Sequence, residues 1–287
     1  MEQAAAISLI ERILCAAQAF VAHEKKGSFL ERDATLRTNF TYLRAYCELA
    51  YYLRHLFLMY DAELKSAPDA SKITSWPWAD FLQRAHNNVD IEEIVIVTFN
   101  YDLFLEHTLD LLGISYEYEG ITTTTPSSAK VRLYKPHGSI NFVAPPLPAG
   151  SAMPPREIDY KLAEDFSIQR PLMVDNTSPQ NHWLRYSIIP PAGDSARIKY
   201  TWVQALQASL QARLASFADT DRLVICGLSY WHVDRAEIDG MLAKLDLNVD
   251  AISINPRPSE ALDGVLSSLF VNYSCFPTSS SLRKVKI

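Results

Sequence analysis

From residue 94 onward the chain repeats one pattern: a short apolar run of strand length, a polar turn, then an amphipathic stretch of helix length. Ile94-Val-Ile-Val-Thr-Phe leads into Asn100-Tyr-Asp and then into Leu103–Leu112, with Gly113 placed as a C-cap. The run is β-branched and lacks polar alternation, as expected of a strand buried on both faces. Further strands are expected at Ser115–Tyr118, Val131–Tyr134, Leu223–Cys226, Ala251–Ile254 and Phe270–Cys275. Helices are expected at Trp202–Phe217, Asp234–Leu245 and Pro258–Leu269. The alternation predicts an α/β fold: a Rossmann-like open, mainly parallel sheet with helices on both faces.

The first part of the chain reads differently. Ile7, Ile10, Ile13, Leu14 and Ala17 recur at helical spacing, as do Tyr42, Leu43, Tyr46, Leu49, Ala50, Leu53 and Phe57. Ser71–Pro77 reads as a break, and Trp78-Ala-Asp-Phe-Leu as a further helical turn. Residues 1–92 are therefore expected to form a helical region, either part of the same domain or a subdomain. Residues 93–287 would form the α/β core, with a loop-rich insertion at about 143–187. Residues 144–156 hold five prolines and a glycine, which predicts a loop. No internal repeat or low-complexity segment is evident.

Composition excludes several classes. The net charge is −6 and no basic stripe is present, which argues against a direct nucleic-acid partner. Cys15, Cys47, Cys226 and Cys275 form no Cys-x-x-Cys pair, so a thiolate zinc site is not expected, nor is a disulfide scaffold. Reduced thiols suit the cytoplasm. The N-terminus has no signal-peptide pattern, and no apolar run approaches the roughly 18 residues of a membrane span. The histidines show no His-Glu-x-x-His spacing, and no metal is expected.

Ligands of such sheets bind in the crevice beyond the carboxyl ends of the strands. Four polar groups stand there: Asn100-Tyr-Asp102, His137-Gly-Ser139, Gly227-Leu-Ser229 and Asn255-Pro. Each also has a plain structural reading. An Asn after a strand often caps the next helix. A His before Gly suits a turn, Gly227-Leu-Ser229 suits a strand-to-helix connection, and Asn255-Pro suits a turn. Gly227-Leu-Ser229 lacks the second glycine of a nucleophile elbow, so Ser229 is not expected to be a hydrolase nucleophile.

Taken in order, Val97-Thr-Phe-Asn-Tyr-Asp102, Tyr134-Lys-Pro-His-Gly-Ser-Ile-Asn-Phe142, Ile188-Ile-Pro-Pro191, Val224-Ile-Cys-Gly-Leu-Ser229 with Asp234, and Ile254-Asn-Pro256 resemble the sirtuin-like superfamily. The likeness is to its bacterial branch of NAD-hydrolysing, anti-phage defence domains and covers about residues 94–275. It implies cleavage of NAD, as substrate, to nicotinamide and ADP-ribose. Asn100 would position water or the ribose beside the bond to nicotinamide, and His137 would bind a ribose hydroxyl and act as general base. Asp102 would orient the nicotinamide side. Gly227 and Ser229 would line the phosphate and ribose path, and Asn255 would contact the adenosine end. The residue types suit that chemistry: the amide orients a nucleophile without carrying charge, and an imidazole accepts a proton near neutrality. The resemblance also implies assembly, as a homo-oligomer or with a partner defence protein, with the helical region as a surface for it.

The chain departs from the pattern at the phosphate end. No Gly-x-Gly occurs, and only Gly27 precedes Gly113. Close backbone approach to phosphate needs glycine. Three readings stay open: the chain begins inside the domain, phosphate is held by Arg or Lys side chains, or the site is catalytically degenerate. Under the last, the protein is a nucleotide-binding, structural or regulatory subunit. A Rossmann-type binding protein of another family is a further alternative. Phe99 stands where lysine-deacylating sirtuins carry Gln, and no cysteines build their zinc module, which disfavours protein deacylation.

Overall fold

A computed structural model describes residues 3–24, 41–66, 70–121, 128–143, 172–177, 187–190, 200–230, 234–257 and 259–287. Four helices come first: α1 (Gln3–Glu24), α2 (Thr41–Ser66), α3 (Ala70–Thr74) and α4 (Pro77–Asn87). The expected break at Ser71–Pro77 is thus partly helical. Ile73 is buried, so packing supports a turn that local sequence does not signal. Pro77 opens α4, where its missing N–H costs nothing.

The alternating part follows as β1 (Ile94–Val97), α5 (Phe104–Leu111), β2 (Tyr116–Tyr118), β3 (Val131–Tyr134), β4 (Phe142–Val143), β5 (Met173–Val174), α6 (Thr201–Leu214), β6 (Arg222–Cys226), α7 (Arg235–Leu242), β7 (Asp250–Ile254), α8 (Glu260–Leu269) and β8 (Asn272–Phe276). A 3₁₀ segment, Ser279–Lys284, was not foreseen. Gly113 ends α5 at φ +67, as its C-cap role requires. The predicted loop at residues 144–156 lies outside the described residues, as does most of the insertion.

The fold is mixed α/β with parallel sheets, helices on both faces and a helical N-terminal region. The strands divide, however, into two three-stranded parallel sheets, β1-β3-β2 and β6-β7-β8, with β4 and β5 as a small antiparallel pair. β1 and β6 each pair on one edge only among the described residues. This corrects the expectation for Ile94–Val97: the strand is half-buried throughout, in keeping with its having one paired edge among the described residues.

Residues of β1, β6 and β7 serve two cores, which explains why their apolar residues run consecutively. Val95, Val97, Leu223, Ile225 and Ala251 join the large cluster that holds Trp202, Val203, Leu206, Leu210 and Leu214 of α6. Their neighbours reach a second layer, Ile96 touching both. Ile94 and Ile96 pack with Leu82 of α4, while Val224, Cys226, Ile252 and Ile254 pack with Trp78 and Phe81 of the same helix. Helices α4 and α6 therefore lie on opposite faces, and each touches both sheets. Arg84 of α4 donates to the Leu282 and Val285 carbonyls, and Lys130 donates to the α4 C-terminal carbonyls of Ala85 and His86.

Candidate functional site

The polar residues after β1 and β3 are brought into one knot. Both strands run parallel in adjacent positions, so their following turns emerge at the same end. Ile140 N donates to the Tyr101 carbonyl at 3.1 Å, and Lys135 Nζ donates to the Asp102 carbonyl at 2.5 Å. Tyr101 crosses in the other direction, donating its hydroxyl to the Ile189 carbonyl at 2.5 Å. The Phe99 and His137 rings lie 4.6 Å apart between centroids. Helix α2 backs the knot: Arg54, fully buried, donates to the Ile140 carbonyl at 3.1 Å, and Phe57 packs on Tyr101. Burial pushes the Arg54 guanidinium down to about 10, the cost of placing it there.

Gly138 makes the turn possible. Its φ is +89, and it bridges antiparallel to Ile188. Ser139 N donates to the Ser187 carbonyl at 3.1 Å and Ile189 N to the His137 carbonyl at 2.9 Å. The segment around Ile188 is thereby fastened to both sides of the glycine. The Ile188-Ile-Pro part of the sequence pattern has a structural purpose here.

Beneath the turns sits a buried polar group. Lys135 Nζ meets Glu106 Oε1 at 2.7 Å, with both side chains almost wholly buried. Tyr118 donates to the same carboxylate oxygen at 2.9 Å and accepts from Asn141 Nδ2 at 2.9 Å. Burial and the Glu106 charge hold the Tyr118 phenol well above its ordinary value, so it stays a donor.

Within this frame the two expected catalytic residues differ sharply. Asn100 is exposed, and its side chain has no hydrogen-bond partner among the described residues; its backbone N–H donates to Thr98 Oγ1. His137 is 4% exposed. Its Nε2 lies 2.9 Å from Glu237 Oε2 and 3.8 Å from Asp234 Oδ1. Asp102 Oδ1 accepts from Phe104 N at 3.0 Å, so the structural reading entertained for Asn100, holding the next helix's N-terminus, falls to Asp102.

The other predicted residues form a second knot after β6 and β7. Gly227, at φ +63, donates its N–H to the Ile254 carbonyl at 3.0 Å. Asn255 Nδ2 donates to the Leu228 carbonyl at 3.1 Å, and its Oδ1 accepts from Arg257 N at 3.0 Å. Ser229 is exposed. The structure thus brings together Asn100, Asp102 and His137 on one side and Gly227, Ser229 and Asn255 on the other. The link is α7, which follows the second knot and presents Asp234 and Glu237 to His137.

Sequence reasoning missed Glu237, Gln207 and the part played by Lys135. Glu237 stands three residues after Asp234, one turn along a predicted helix, and that spacing was the available signal. Gln207 Nε2, from α6, donates to Glu237 Oε1 at 3.1 Å; no sequence spacing connects the two. None of the four cysteines is in a disulfide. No group of three or more His, Cys, Asp or Glu among the described residues is placed to hold a metal, and no described helix is long and apolar enough to cross a membrane.

A comparison with curated proteins finds no match. A comparison with protein families does: residues 94–234, just under half of the chain, match the SIR2-like domain family; the match takes in the first knot and the β6 side of the second, and supports the sirtuin-like superfamily as the kin of this region.

Proposed function

We propose that this site cleaves NAD to nicotinamide and ADP-ribose. Water adds to the ribose carbon as nicotinamide leaves, and one proton is released. Asn100 orients the nucleophile or the ribose, and His137 accepts the proton. Asp102 borders the nicotinamide side, Gly227 and Ser229 the phosphate and ribose path, and Asn255 the adenosine end. One observation carries the reading: an exposed Asn100 amide, without a hydrogen-bond partner among the described residues, adjoins Phe99, whose ring packs at a tilt against His137, at the carboxyl ends of adjacent parallel strands in a SIR2-like region. Crevices at such strand ends are where α/β sheets bind ligands. The resemblance to defence domains extends the proposal to NAD depletion during phage infection, with a second copy or a partner defence protein.

A different observation favours a second reading, a nucleotide-binding or regulatory subunit without turnover. His137 is almost fully covered, by Phe99 and the first turn of α7, so substrate reaches the ring only if these part. The glycine-poor sequence points the same way.

Nicotinamide release from NAD by the purified protein decides between them. Release that is abolished in both Asn100→Ala and His137→Ala supports the enzyme. Release surviving both substitutions refutes the assigned residues. No release, together with an NAD-dependent rise in melting temperature, establishes the binding reading.

A further inference from the structure

His137 meets a carboxylate from α7, 100 positions further along the chain. The Glu237 carboxylate at 2.9 Å has no proton to offer when ionised, so His137 Nε2 must carry the hydrogen and donate it. A neutral imidazole then has only Nδ1 as its basic nitrogen. The carboxylate is itself held, because Gln207 Nε2 donates to its other oxygen at 3.1 Å. Glu237 also lies in the first turn of α7, where the helix dipole favours an anion. Asp234 Oδ1, at 3.8 Å, adds a second negative group beyond hydrogen-bond distance of Nε2. A base hydrogen-bonded to a carboxylate that a third group orients is the arrangement that fixes tautomer and ring angle in acid–base catalysis. Glu237 lies three residues beyond the SIR2-like match, so the family likeness does not assign it.

We propose that Glu237, clamped by Gln207, is a positioning residue that fixes His137 as the tautomer with Nδ1 as the base. The proposal rests on the NAD-cleaving reading for its catalytic meaning. When Nδ1 takes a proton from water or a ribose hydroxyl, the imidazolium forms against the Glu237 carboxylate, which stabilises its charge. The proton then passes to solvent, and Glu237 stays ionised throughout.

The test uses the full chain and two readouts, one free of turnover. NMR titration of the His137 imidazole in unliganded protein compares wild type with Glu237→Gln. Loss of the adjacent carboxylate should lower the imidazole pKa by about one unit. An unchanged value overturns the proposal. In the nicotinamide-release assay, Glu237→Gln should lower kcat on the order of tenfold or more with little change in KM, and shift the limb of the pH profile with the titration. Loss of rate with an unmoved pH profile and titration would make Glu237 merely structural and refute the positioning role. If wild type releases no nicotinamide, the catalytic reading fails, while the titration still decides whether Glu237 governs His137. Should Glu237→Gln not fold, Glu237→Asp, one methylene shorter, stretches the same hydrogen bond, and an unmoved His137 titration there is equally fatal.

Discussion

Replacing Gly138 by alanine should damage this protein far more than the same change at Gly227. Both glycines have positive φ, +89 and +63, and an L-residue there costs roughly 1–2 kcal/mol. Their surroundings differ. A Cβ on Gly227 meets nothing within 4 Å, so the conformational cost is the whole effect. A Cβ on Gly138 would stand 1.9 Å from the Ser187 carbonyl oxygen and 2.8 Å from its carbon, which is backbone and cannot rotate away. Relief requires the 187–189 segment to retreat, breaking the Ser139–Ser187 and Ile189–His137 backbone hydrogen bonds. Each is worth about 0.5–1.5 kcal/mol, and more where a buried group is left unpaired. The sum for Gly138→Ala is about 4 kcal/mol, against about 1–2 for Gly227→Ala. For a chain of this size that corresponds to a fall in Tm on the order of 10 °C, against a few degrees for the control. Calorimetry of the three proteins measures the difference directly. A Gly138→Ala protein no less stable than Gly227→Ala would show that the Ile188 segment is not fastened over His137 as described.

Lys135→Met should destabilise by about 3–5 kcal/mol in chemical denaturation, because it strands the Glu106 carboxylate in the interior. Glu106→Gln in the same chain should recover part of that loss, and strictly additive effects would refute the coupling. Asp61 of α2 ties that helix to α5 through His107 at 2.6 Å, with Lys65 of α2 at 2.9 Å beside it. Burial opposes its ionisation, but the hydrogen bonds and charges of His107 and Lys65 outweigh it and hold its carboxyl below the ordinary aspartate range. Because the folded value lies below the unfolded one, the stabilisation is present above the ordinary carboxylate range and is lost as pH falls through the folded value. Asp61→Asn should therefore flatten the decline of Tm below about pH 4, and an unaltered acid limb would contradict the pairing.

Much of the fold was legible because its signals are local. Ile94–Val97, Leu223–Cys226 and Ala251–Ile254 are runs whose apolar residues face one or other of two cores, and Gly113 marks a helix end by backbone chemistry alone. That the residues after those strands gather at the strand ends was legible for the same reason: parallel strands deliver their following turns to one end. The α3 turn was not legible, since burial of Ile73 rather than propensity makes it.

By itself the sequence determined that parallel strands alternate with helices and that Asn100 and His137 stand at strand ends. Hydrophobic period and turn chemistry depend on near neighbours, so one dimension suffices to read them. Only the tertiary structure decided that the strands fall into two sheets, that Asn100 is exposed while His137 is covered, and that the partners of His137 are Glu237 and, through it, Gln207. Those facts depend on contacts between residues 30 to 100 positions apart, which the packing of α6 and α7 creates and no local pattern encodes.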